Sequence, residues 1–239
     1  NRIEVATLQD AQPNQLRRLM RVLGPQYEAF PESPTHRAAE RTIVYRVTAD
    51  NGKPMWELEK SGVYDIPNYP DRNLDKPTRA TPWVLLEHAQ TDQEAVVSSI
   101  HAVAWDKQLD PGGARKRERA GHIIAAWAER MLSRFPDALV VAIGDINQRD
   151  KPRLRPGWGS NENLYGHDRS KLITCIVGKV LRGFDDIASG RRGACPPSEI
   201  GIDHGFTNGK IVKKIRHVRQ GQSDHGGYLV KLGLLKKKD

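Results

Sequence analysis

A long amphipathic run followed almost at once by a short, wholly apolar one constrains this chain more than any other feature. From Ala114 to Phe135 the apolar residues Ile123, Ile124, Trp127, Ala128, Met131 and Leu132 recur at helical spacing, which predicts one helix with a single buried face. Then comes Ala138-Leu139-Val140-Val141-Ala142-Ile143, a continuous apolar run of strand length that ends at Gly144-Asp145. Such a run is the pattern of a strand covered on both faces. A strand covered on both faces needs a packed layer on each side, so the chain belongs to the layered α/β class.

The other periodicities fill in those layers. Strands are expected at Arg2 to Leu8, Thr42 to Val47, Met55 to Lys60, Trp83 to His88, Ala95 to His101, Ile200 to Phe206, Ile211 to Val218 and Gly227 to Leu232. A helix is expected from Ala11 to Leu23, with Pro13 tolerated in its first turn, and another over Ser170 to Leu181. Neither a repeat nor a low-complexity linker divides the 239 residues, so one domain is expected, with two packed sheets and helices outside them. The segment Gln148 to Tyr165 is polar and rich in Gly, Pro and Arg, which reads as a long functional loop.

Composition narrows the function classes. Charged residues at 28% and hydrophobic ones at 38% exclude a disordered or fibrous chain. With Cys175 and Cys195 as the sole cysteines, a disulfide-stapled scaffold and a four-thiolate zinc site are excluded; one bridge or two separate buried thiols both fit. No apolar stretch reaches the roughly 18 residues of a membrane span, and Asn1, lacking an initiator Met or signal-peptide pattern, reads as a cut end. Secreted and cytoplasmic settings both fit.

The net charge of +9 favours a polyanionic partner, nucleic acid first, because each cation near a phosphate releases condensed counterions. Three clusters carry much of the excess: Arg115, Lys116, Arg117 and Arg119; Lys210, Lys213, Lys214 and Arg216; and the tail Lys236, Lys237 and Lys238, which reads as solvated.

Chemistry-bearing residues gather where strands end. Gly144-Asp145-Ile146-Asn147 sets a carboxylate and an amide at the end of the doubly buried strand, although Gly, Asp and Asn are also ordinary turn formers. Ser223-Asp224-His225 precedes the last strand, and Gly201-Ile202-Asp203-His204 places a further carboxylate where it could lie alongside. A carboxylate beside an imidazole fixes its tautomer and raises its basicity, as proton transfer requires. Asp10 follows the first strand, where an N-cap is the structural alternative, and His101 closes the strand Ala95 to His101.

Taken in order, Leu8-Gln9-Asp10, a strand ending in His101, a long helix, Gly144-Asp145-Ile146-Asn147, Ile202-Asp203-His204 and Ser223-Asp224-His225 resemble the endonuclease/exonuclease/phosphatase superfamily along nearly the whole chain. The resemblance implies a four-layer α/β/β/α sandwich of two mainly antiparallel sheets flanked by helices. It implies Mg²⁺, with Mn²⁺ or Ca²⁺ as substitutes, held by Asp10 and Asp224. Asp145 would orient or deprotonate the attacking water, and Asn147 would bond the phosphate or help place the metal. His225, oriented by Asp203, would contact the scissile phosphate and act in proton transfer. His101 would approach it from the other side, and Arg79 corresponds to a position near the phosphate.

The chain departs from that pattern in three places. Asp10 stands where the family has the longer Glu. Ser99-Ile100 replaces an Asn before the strand-end His, and no counterpart of the family's first strand, with its metal-site Asn, precedes Asn1 to Glu4. The chemistry itself is coherent: a phosphodiester anion repels hydroxide, so a hard cation with imidazole and amide donors must absorb the charge of the transition state.

The expectation is a monomeric, Mg²⁺-dependent DNA endonuclease, with the charge and the Arg-rich segment Arg149 to Arg155 favouring DNA. The alternatives are a phosphatase of the same superfamily acting on inositol phosphates or phospholipid head groups, and a catalytically silent nucleic-acid-binding homologue.

Overall fold

The computed structural model describes residues 3–68, 78–103, 112–147, 172–183, 203–218 and 227–233. Its strands are β1 (Val5–Thr7), β2 (Tyr27–Phe30), β3 (Ile43–Arg46), β4 (Trp56–Pro67), β5 (Thr78–His88), β6 (Gln93–His101), β7 (Leu139–Asp145), β8 (Arg182–Gly183), β9 (Asp203–Thr207), β10 (Lys210–Val218) and β11 (Gly227–Gly233). The helices are α1 (Pro13–Leu23), α2 (Gly112–Arg134) and α3 (Ile173–Val177).

A six-stranded sheet runs β4-β5-β6-β7-β9-β8, a three-stranded antiparallel sheet runs β1-β3-β2, and β10 pairs with β11. In the large sheet β6 and β7 are parallel and the other pairs antiparallel. Parallel neighbours need a long crossover, and α2 supplies it. Pro136, which cannot continue a helix, stands two residues past its end, and Ala138 N–H bonds the Phe135 carbonyl at 3.1 Å, so the chain turns sharply into β7.

Alternation along the central strands builds two cores. Val96, Ile100, Val140 and Ala142 pack outward against Ile124, Trp127, Ala128 and Met131 of α2 and against Ile173 and Val177 of α3. Tyr64 and Trp127 stack there at 5.3 Å. Val97, Val84, Leu86, Leu139 and Val141 pack inward against Ile43 and Tyr45 of the small sheet. On that sheet's far side Leu16 of α1 meets Ala29 and Val44. The layers are therefore α2 and α3, large sheet, small sheet, α1, which is the four-layer α/β/β/α sandwich expected. Among the described residues no helix is long and apolar enough to cross a membrane.

Several boundaries differ from the sequence reading. β2 was not anticipated, and β4 and β5 extend to Pro67 and back to Thr78. The helix expected over Ser170 to Leu181 is a short one, Ile173–Val177, stopping at Gly178. Asn208 fixes the far end of the sheet: its Oδ1 accepts the Val140 N–H at 2.8 Å and its Nδ2 donates to the Ala138 carbonyl at 3.1 Å. That clasp holds the register of β7 on β9.

Candidate active site

The register brings the strand-end residues together. His101 pairs with Asp145 across β6 and β7, and Asp145 pairs with Asp203 across β7 and β9. Three residues remote in sequence thus have their backbones in one row at one end of the large sheet. With a period of two, Val97, Ser99 and His101 share the face toward the small sheet, and the contacts of Ser99 and His101 agree.

The turn Leu8-Gln9-Asp10 is fastened over that row. Leu8 N–H bonds the Thr42 carbonyl at 2.8 Å, tying the turn to the start of β3. Gln9 Nε2 donates to Ser99 Oγ at 3.0 Å, and the Ser99 hydroxyl donates to the Leu8 carbonyl at 3.2 Å. Asp10 then adopts a left-handed conformation, φ 52°, one that Asp tolerates better than most residues. Gly144 is required opposite: its φ is +150°, and an added Cβ would stand 2.0 Å from the Ile100 carbonyl oxygen and 2.8 Å from Gln9 Nε2.

His101, 4% exposed, lies between two carboxylates. Its Nδ1 is 3.2 Å from Asp10 Oδ1 and its Nε2 is 4.0 Å from Asp145 Oδ2. Among the described residues Nδ1 has no well-aligned acceptor; Asp10 is close to it but off the N–H direction. The polar contact with the His101 ring is still the main reason the Asp10 carboxyl is held below the usual range. Partial burial opposes that effect, and the charges of His101, Arg79 and Arg41 add to it.

Asp145 is buried, and its Oδ1 accepts the Asn147 N–H at 2.7 Å, an Asx turn that aims the carboxylate back over the strand end. Asn147 takes a left-handed φ of 49°, and its Nδ2 donates to the Ala102 carbonyl at 3.0 Å. Arg79 Nη1 donates to the same carbonyl at 3.2 Å. The tetrapeptide is thus both a turn former and a presenter of polar groups.

Arg41 was not singled out by the sequence reading. Buried just before β3, it donates from Nε to the Ala80 carbonyl at 2.9 Å, beside Arg79. Burial first, then the charge of Arg79, lowers its basicity against the pull of Glu40 and Asp10; burial likewise lowers that of Arg79, against Asp10, Glu40 and Asp145. Both remain cations at neutral pH. The sole signal for Arg41 was a charge opening an apolar strand. For Gln9 and Ser99 it was their place beside Asp10 and His101.

The described residues thus gather Asp10, Arg79, His101, Asp145 and Asn147, with the Asp203 backbone completing the row. The Asp203 side chain, Asp224, His225 and the segment Gln148 to Tyr165 lie outside them. Cys175 is disulfide-bonded, and Cys195, the other cysteine of the sequence, also lies outside. Asp10 suits a hard divalent cation: it is an exposed, readily ionised oxygen donor beside a buried imidazole nitrogen without an aligned partner. Among the described residues no group of three potential ligands is assembled.

An endonuclease/exonuclease/phosphatase from Bacteroides vulgatus superposes with a TM-score of 0.62 at 16% identity, covering 97% of this chain and 85% of that one. The chain has the endonuclease/exonuclease/phosphatase fold. The Bacteroides thetaiotaomicron mannosyl-6-phosphatase shares that fold with a TM-score of 0.57 at 13% identity, covering 97% of this chain and 85% of its own. The human Nocturnin catalytic domain, solved with a bound sulfate anion, gives 0.55 at 13% identity, with 95% and 81% covered. No protein-family model and no curated protein matches this sequence.

Proposed function

We propose that this chain is a divalent-cation-dependent phosphoesterase, and more specifically an endonuclease that hydrolyses DNA phosphodiester bonds. The observation that supports it best is the buried His101 set between Asp10 and Asp145, with Arg79 and Asn147 meeting at the Ala102 carbonyl. These groups match, in kind, what phosphodiester hydrolysis needs: carboxylates for a cation and a water, and N–H donors for nonbridging oxygens.

In this reading Asp10, with Asp224, holds the cation, which when bound neutralises charge building on the phosphate. Asp145 accepts a hydrogen bond from the attacking water and draws off its proton. His101 donates to a nonbridging oxygen, and Asn147 and Arg79 steady the same phosphate. His225, oriented by Asp203, assists proton transfer from the other side. The water supplies the hydroxyl that ends on phosphorus, and the departing alkoxide takes up a proton. The positive balance of the chain favours DNA over a small ester.

A sugar-phosphate or inositol-phosphate monoesterase is the second reading, favoured by the mannosyl-6-phosphatase that shares the fold. Supercoiled plasmid incubated with Mg²⁺, with and without chelator, separates the two. Nicking that the chelator abolishes supports the nuclease. Intact plasmid with phosphate released from mannose 6-phosphate or inositol phosphates supports the phosphatase. Retarded but uncut plasmid with no phosphate release supports a silent binder.

A further inference from the structure

The cluster Arg115, Lys116, Arg117 and Arg119 divides into two pairs in the folded chain. Arg117 is 1% exposed, and its Nη1 donates to the Val103 carbonyl at 3.3 Å. Lys116, half-buried, donates from Nζ to the Asn68 carbonyl at 2.8 Å. Val103 lies two residues past His101, and Asn68 directly follows β4, whose end pairs with the Arg79 end of β5. The inward pair therefore fastens the start of α2 to the end of the large sheet that carries the site.

Arg115 and Arg119 differ from that pair. Both are exposed, and among the described residues neither has an ion-pair or hydrogen-bond partner. At i and i+4 they share one helix face, about 6 Å apart along the axis. Like charges so placed work against the helix; its first turn has no acidic side chain, and Glu118, between them in sequence, forms no ion pair with either among the described residues. An anion drawn between them removes the repulsion, and two successive phosphates of one strand suit the spacing.

We infer that Arg115 and Arg119 form a docking surface for the nucleic-acid backbone, gripping phosphates beyond the one being cleaved. The inference rests on the nuclease reading and adds to it the helix by which the polyanion is held. Lys116 and Arg117 set the helix in place, and Arg115 and Arg119 meet the strand.

The test is fluorescence anisotropy with a labelled short DNA duplex in EDTA across a salt series. Beside it runs Mg²⁺-dependent hydrolysis of bis(p-nitrophenyl) phosphate, which is too small to reach α2. The double variant Arg115→Ser/Arg119→Ser should bind DNA about tenfold more weakly and lower the slope of log K against log salt by about 1.8, two contacts at about 0.9 each. Its small-ester hydrolysis should match wild type. The control Arg18→Ser/Arg21→Ser removes the same charge from exposed positions of α1, in the opposite outer layer.

Wild-type affinity and slope in the α2 variant overturn the surface, and so does an equal loss in the α1 variant. If wild type cleaves plasmid while the α2 variant binds unchanged, the surface alone fails. If wild type neither binds nor cleaves DNA, the nuclease reading fails and takes the surface with it.

Discussion

Asp10 Oδ1 stands 3.2 Å from His101 Nδ1, so a left-handed turn before the first helix and the last residue of a central strand meet as one polar unit. The His101 contact holds the Asp10 carboxyl below its ordinary value, so Asp10 stabilises the fold above the usual aspartate range, and that stabilisation is lost as pH falls through its depressed value. Urea unfolding of wild type and Asp10→Asn should show a gap at neutral pH that closes in strong acid. A gap unchanged across that window contradicts the pairing.

Asp145→Asn and His101→Ala should each lower phosphodiester cleavage at least about a hundredfold, since each removes a group acting on the reacting atoms. Circular dichroism should be unchanged for Asp145→Asn, whose amide oxygen can still accept the Asn147 N–H. Rates near wild type in properly folded protein would remove both residues from the mechanism.

Ser99→Ala should act on catalysis through the turn. It removes the hydroxyl that accepts from Gln9 and donates to the Leu8 carbonyl, leaving both groups part-buried and unmatched at about 1–3 kcal/mol. With Asp10 loosened, the midpoint for activating Mn²⁺ should rise several-fold while KM for a small ester moves little. Isothermal titration with Mn²⁺ checks the same shift without turnover.

Gly144→Ala should destabilise the protein by at least about 2 kcal/mol in urea unfolding, from a strained φ and a Cβ driven onto the Ile100 carbonyl. Gly62→Ala tests whether backbone matters more than room. Its added Cβ would meet the Trp83 ring at 2.8 Å, at a glycine without positive φ, so a side-chain shift can relieve it at smaller cost.

The layered fold was legible because α2 and β7 carry unambiguous periods, and packing obeyed them. β4 was read short for a physical reason: its register slips between Leu58 and Lys60, so the alternation changes phase and the pattern seems to end. β5 was read short because Pro82 interrupts it, and the ladder to β6 in fact begins at Trp83. β2 spans only four residues after Gly24-Pro25, too few to show a period. At the site, the strand-end positions of His101 and Asp145 are legible in the sequence, whereas Asp203, expected inside a strand beside the Ser223-Asp224-His225 segment, opens β9 and pairs with Asp145 of β7, a register that no local pattern encodes. Arg41 and the Gln9–Ser99 clasp are not legible either, because their partners are a backbone carbonyl and each other, contacts that leave no local pattern in the sequence.

One peptide unit has a reach beyond its size. The Ala102 carbonyl receives both the Asn147 amide and the Arg79 guanidinium, while the Ala102 N–H is held by the Asp145 carbonyl at 2.8 Å. It ties three pieces of the fold at one point, the end of β6, the turn after β7 and the start of β5, so a substitution that shifts the Ala102 carbonyl loosens Asn147 and Arg79 together.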